Sequence, residues 1–140
     1  MTNHPIQLLN VLVDELNITV HDRVNFAGAD YPKTFDYSVG RTEFDEASKI
    51  IAVKVIVSIK PEDPERIDRP FSMTVAVAAQ FVVDTEVFPM DKLEQWANHN
   101  APIVILPYVR EQAYSLSVRA GFDPIILPLV EVPTIKIQKP

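Results

Sequence analysis

Three histidines are the first candidates for chemistry in this sequence, because imidazole titrates near neutrality and is the commonest metal ligand. His4, His21 and His99 are scattered. None stands in a HExxH arrangement or four residues from another ligand type on an evident helix. The adjacent carboxylates Asp14/Glu15 and Asp45/Glu46 would point to opposite faces of a strand and cannot share a proton. Asp84 and Glu86 can face the same way near a strand end, where a solvated turn explains them equally well. No serine lies in GxSxG, and glycine occurs only as Gly28, Gly40 and Gly121, so a phosphate-cradling loop and a dinucleotide fingerprint are both missing. The chain has no cysteine, which removes thiol catalysis, disulfides and Cys-based zinc sites. The expectation is a protein that is not an enzyme and takes neither a metal nor a cofactor.

What remains is the chemistry of apolar recognition. Between Asn25 and Tyr37 four aromatics, Phe26, Tyr31, Phe35 and Tyr37, are interleaved with the breakers Gly28, Asp30 and Pro32. Aromatics in a connection mostly fold back onto the core. Four of them also suit a partly exposed surface for an apolar or peptide ligand.

At 140 residues the chain fits one domain, 1–140, that buries about 65–70% of its unfolded surface. Hydrophobic residues at 47% and charged residues at 23% place it among globular proteins. A formal charge of −6 argues against nucleic acid and anionic lipid, which need clustered Lys and Arg. The start, MTNHPIQLL, has no basic region followed by an apolar core, and no apolar run approaches the ~20 residues of a membrane span. A cytoplasmic protein with no membrane insertion is expected.

The aromatic connection needs a scaffold, and period-two patterning supplies one. Pro5 to Val20 is read as a strand whose face carries Leu8, Leu12, Leu16, Ile18 and Val20, although Leu9, Leu12, Val13 and Leu16 also fit a helix. A second strand runs from about Phe35 to Phe44. The third, Lys49 to Lys60, places Ile51, Val53, Val55, Val57 and Ile59 on one face. Pro61 to Pro70, charged and proline-rich, is a solvated loop. The fourth strand, Phe71 to Val83, sets Phe71, Met73, Val75, Val77, Ala79, Phe81 and Val83 against a second face of small and polar residues. A short helix follows over roughly Met90 to Asn98, with Leu93 and Trp96 packing it onto the sheet.

Ala101 to Gly121 is the centrepiece. Its apolar run Ile103 to Leu106 precedes Pro107, which predicts a helix start at or near that proline. Val109, Ala113, Leu116 and Ala120 then draw one apolar stripe, and Gly121 supplies the stop. Arg110, Glu111, Gln112, Ser115, Ser117 and Arg119 occupy the solvent or partner side, with Ala and Ser frequent enough for another backbone to approach. Residues 132–140 read as a short edge strand or a loose end. The predicted class is α+β: a four-stranded antiparallel sheet with helices packed on one face. Its apolar face exceeds what two modest helices can cover, which signals self-association or a binding surface.

Pro102, the run Leu106-Pro107-Tyr108-Val109-Arg110-Glu111, then Gly121-Phe122 and Leu127-Pro128-Leu129-Val130 resemble the signature of the SecB export chaperone family. There a hydrophobic-Pro-Tyr-Ala-Arg-Glu run opens the long helix and a Pro-rich apolar segment leaves it. The resemblance covers roughly Ile6 to Val132, with Val109 where the family usually has Ala. It implies a homotetramer, a dimer of dimers with the long helices between sheets, and so places Val109, Ala113, Leu116, Ser117 and Ala120 at the oligomer interface. It also implies that unfolded polypeptides are held without ATP in apolar, aromatic-lined grooves near the connection between the first two strands, assigning Phe26, Tyr31, Phe35 and Tyr37 to peptide binding. Relatives that deliver preproteins reach the SecA motor through a further C-terminal helix and tail, whereas this chain ends at Pro140. SecA is therefore the weakest expected partner. The leading expectation is an ATP-independent holdase, with export as its setting. Its rivals are a dedicated SecB-like chaperone of one client, such as an antitoxin, and a structural or assembly protein that keeps the fold alone.

Overall fold

A computed structural model describes residues 1–26 and 34–130. Tyr31 and the tail strand considered for 132–140 lie outside the described residues. The elements are β1 (Ile6–Val20), β2 (Asp36–Arg41), β3 (Ile50–Ile59) and β4 (Phe71–Val83), then a 3-10 turn (Met90–Lys92), α1 (Leu93–His99) and α2 (Ala101–Arg119). The four strands form one sheet in the order β1-β4-β3-β2, with every neighbouring pair antiparallel. The expected α+β architecture is present, with β2 six residues long where a strand to Phe44 was expected.

The two central strands follow their alternation closely. Ile51, Val53, Val55, Val57 and Ile59 of β3 and Phe71, Met73, Val75, Val77, Ala79, Phe81 and Val83 of β4 are all buried on the helix side. The β3 row is entirely β-branched and the β4 row is mostly Val and Phe, the side chains a pleated, half-buried surface accommodates best. On the opposite face, Ala76 and Ala78 stand beside Lys54 and Ile56.

The first strand departs from simple alternation. Its pairing with β4 shifts between Leu8 and Asn10 and again between Val13 and Glu15, so Leu9 and Asp14 are the extra residues of two β-bulges. Each bulge inserts one unpaired residue and resets which parity faces the core. The helix-side face is consequently Ile6, Leu8, Val11, Val13, Leu16, Ile18 and Val20, opposite Val83, Phe81, Ala79, Val77, Val75, Met73 and Phe71. Leu12, expected on that face, instead lies opposite Ala78 on the far side. Bulged Asp14 forms an ion pair with Lys54 at 2.7 Å.

The long helix begins six residues before Pro107, at Ala101, with Pro102 at its first turn. Pro102 takes the position where a missing N–H costs least. Pro107 falls inside the helix and on its exposed side, where its ring meets solvent and the unpaired carbonyl of the preceding turn can be hydrated. Gly121 closes the helix as expected, with φ of 89°, a left-handed conformation that costs a β-carbon-bearing residue. α1 lays Leu93, Trp96 and Ala97 against the sheet, and the Trp96 ring meets Phe81 edge-on at 5.0 Å.

The loop from Pro61 to Pro70 is mostly exposed, as its composition predicts, but it ends on a fully buried Arg69. Its guanidinium is held by Asp68 through Nε at 2.7 Å and Nη2 at 3.1 Å. That bond keeps the Asp68 carboxyl below its usual range.

Candidate polypeptide-binding surface

The connection from β1 to β2 starts at one edge of the sheet and ends at the other, since those strands occupy opposite edges. It must cross three inter-strand spacings, about 14 Å. The amides of His21 and Asp22 both donate to the Pro70 carbonyl, at 2.7 and 3.1 Å, and the His21 ring shares a 2.7 Å bond with Ser72 Oγ. Asp22 accepts from the amides of Val24 and Asn25 and from the Asn25 side chain. The Asn25 bonds, backbone first, pull its carboxyl below the usual range. Arg23 donates to the Ala120 carbonyl at the end of α2 and lies 5.3 Å over the Phe122 ring, which packs on Phe71 at 4.8 Å. A cation at a helix C-terminus complements the negative end of its dipole.

Of the four aromatics assigned to peptide binding, Phe35 and Tyr37 pack against the edge of the core cluster, and Phe26 is half-buried. Tyr37 lies opposite Val57 of β3 and so faces the helix side. Burial pushes its phenol above the usual range. Beside the helix C-terminus, Ser117 Oγ donates to the carbonyls of Ala113 and Tyr114 and accepts the Ile125 amide at 2.9 Å. This ties down an extended segment whose Ile125 and Leu127 are buried while Ile126 and Leu129 are 76% and 85% exposed. Near one end of the connection, Val24 is 81% exposed.

The residues expected at an oligomer interface lie on the inner side of α2. Val109, Ala113, Leu116 and Ser117 are buried within this one chain, and Ala120 is half-buried at the helix cap. They face the chain's own core because the stripe they form is the one the protomer needs to cover its sheet. Ser117, also expected on the solvent side, is the buried tether just described. The single stripe leaves out the opposite arc of α2, where Ile103, Val104, Tyr108, Tyr114 and Val118 are 39–48% exposed. The signal was available: apolar residues recur on every side of this helix, so no single stripe accounts for them.

That outer arc adjoins the edge-strand face where Leu8, Val13 and Leu16 are also exposed. Between them opens a cleft of about 390 Å³ lined by Ile6, Leu8, Phe81, Trp96, Ile103 and Val104, with His4 and Asn100 as its polar members. Among the described residues β4 is the one partner of β1 in the sheet, so its other edge lies open beside the cleft. Two apolar surfaces thus stand on the helix side of the sheet, one at the crossover and helix C-terminus, the other along α2 and β1. Among the described residues, no cluster of metal-ligating side chains forms and no helix is long and apolar enough to cross a membrane.

No family profile matches the chain. The Mycobacterium tuberculosis Rv1957 SecB-like chaperone, solved in complex with a ChAD peptide from the HigA1 antitoxin, superposes with a TM-score of 0.67 at 20% identity over 93% of this chain and 94% of that one. A Streptococcus agalactiae protein of unknown function gives 0.48 at 13% identity, over 89% of this chain and 97% of that one. The fold is that of a SecB-like chaperone. In sequence, the chain is 38% identical to the protein-export protein SecB of Saccharophagus degradans over 47 residues, which span 34% of this chain and 28% of that protein. Fold and local sequence together support a SecB-like family.

Proposed function

We propose that this protein is a chaperone that holds non-native polypeptides without ATP. The observation that carries the reading is the uncovered apolar surface on the helix side of a SecB-like sheet. Burial of client apolar groups there contributes about 25 cal/mol per Å² removed from water, without nucleotide or covalent chemistry. The crossover aromatics Phe26, Tyr31, Phe35 and Tyr37, with the exposed Ile126 and Leu129, form the client surface. Extended clients add main-chain hydrogen bonds to apolar contacts, which keeps sequence preference low.

The outer arc of α2 and the adjoining face of β1 are the oligomer interface. The assembly is a homotetramer, a dimer of dimers of single-domain protomers, in the cytoplasm. Val109, Ala113, Leu116 and Ser117 support that interface from behind by fixing the helix on its sheet. A second reading, a chaperone dedicated to one client, is favoured by the antitoxin peptide bound to the Rv1957 structure. Fluorescence anisotropy with several unrelated unfolded polypeptides separates the two: a general holdase binds all of them with similar affinity, whereas a dedicated chaperone ignores the panel.

A further inference from the structure

Five buried side-chain atoms have no hydrogen-bond partner among the described residues: Asn10 Oδ1, Tyr37 Oη, Arg69 Nη1, Asn100 Oδ1 and Arg110 Nε. A buried polar atom without a partner has given up water and gained nothing, so it destabilises the state in which it occurs. Asn10 and Arg69 are served through their other polar atoms, by Gln80 and Asp68. Tyr37 has a single polar side-chain atom, so for it the loss is complete. Phenylalanine would fill the same ring volume without that penalty.

The position of this hydroxyl suggests what it serves. Tyr37 sits on β2, an edge strand whose outer side has no neighbour in the sheet among the described residues, and its ring packs at the margin of the core beside Phe35. We propose that Tyr37 Oη makes its missing hydrogen bond in the client complex, to a main-chain peptide group of an extended polypeptide laid along β2. The main chain is the partner of choice because it is the one hydrogen-bonding group every unfolded client carries, and an incoming segment must satisfy its own N–H and C=O groups. Burial holds the phenol protonated, leaving it able both to donate to a carbonyl and to accept from an amide. Client entry displaces the tyrosine from its buried rotamer. The penalty in the free state thereby becomes a bias toward the bound one.

This inference rests on the holdase reading, and Tyr37→Phe tests it with two readouts of opposite sign. Reduced, carboxymethylated polypeptide serves as the unfolded probe, and the apolar dye ANS, which has no peptide group, serves as the comparison. The variant is expected to melt at the same temperature as the wild type or higher, to bind the polypeptide about tenfold more weakly, and to bind ANS unchanged. A lowered melting temperature overturns the proposal, because the hydroxyl would then be bonded in the free protein. Undiminished polypeptide affinity in Tyr37→Phe, with the wild type binding well, also overturns it and leaves the holdase reading standing. If the wild type itself fails to bind the polypeptide, the holdase reading falls and this inference with it.

Discussion

The two arcs of helix α2 are built from similar residues and meet different fates. The inner arc, Ile105, Val109, Ala113 and Leu116, disappears into the protomer, each residue at most 8% exposed. The outer arc, Ile103, Val104, Tyr108, Tyr114 and Val118, is scarcely less apolar and stays 39–48% exposed. An ordinary surface helix would be polar on that side. One chain therefore covers only the inner side of its long helix, and the outer side stays apolar and open as the surface proposed above for the assembly. The same asymmetry runs along β1, where Ile6 is buried and Leu8, Val13 and Leu16 on the same face are not.

Substitutions sharpen this contrast. Ile105→Ala removes a fully buried side chain and is expected to lower stability by about 2–5 kcal/mol in urea denaturation. Gly121→Ala acts where the inner arc ends. Forcing a β-carbon onto φ of 89° is expected to cost about 1–2 kcal/mol, and the new carbon would stand 3.2 Å from the Arg23 guanidinium, loosening that contact as well. Val118→Glu, on the outer arc, is expected to change protomer stability by no more than about 0.5 kcal/mol while lowering the mass seen by sedimentation. If Val118→Glu unfolds the chain as Ile105→Ala does, with no change in assembly, the two arcs are not distinct in the way described.

The smallest expected effect is on pH. Asp22, Asp45 and Asp68 all have carboxyls below their usual range, held there by hydrogen bonds from Asn25, Ser48 and Arg69 respectively. A depressed carboxyl contributes stability that is fully present above its unfolded value of about 3.9 and is lost as pH falls through the lower folded value. Thermal melts should therefore show this carboxylate contribution flat from pH 7 to 5 and declining below about 4. Asp45 is exposed and Asp22 and Asp68 are half-buried, so solvent screens each contribution and the decline is small.

Much of the scaffold was legible in the sequence because β3 and β4 alternate without interruption, and burial on one face enforces period two. β1 was harder to read: an extra residue at Leu9 and another at Asp14 shift the parity, and nothing about a leucine or an aspartate marks it as a bulge. Pro107 misplaced the helix start because proline is common at first turns, whereas here Pro102 holds that role and Pro107 sits on the exposed side of the second turn. Ser117 looked like a surface residue by type, but its three hydrogen bonds depend on the returning segment at Ile125, a contact between parts of the chain that local spacing does not encode. The aromatics Phe35 and Tyr37 were identifiable as a group; that the Tyr37 hydroxyl lacks a partner could emerge only from packing.

The most direct test of the central claim is aggregation of a chemically unfolded protein diluted into buffer without nucleotide, followed by light scattering over a series of chaperone ratios. A holdase is expected to give suppression that saturates near one assembled chaperone per client chain and is unchanged when ATP is added. Unabated aggregation of several unrelated clients at saturating chaperone would contradict it.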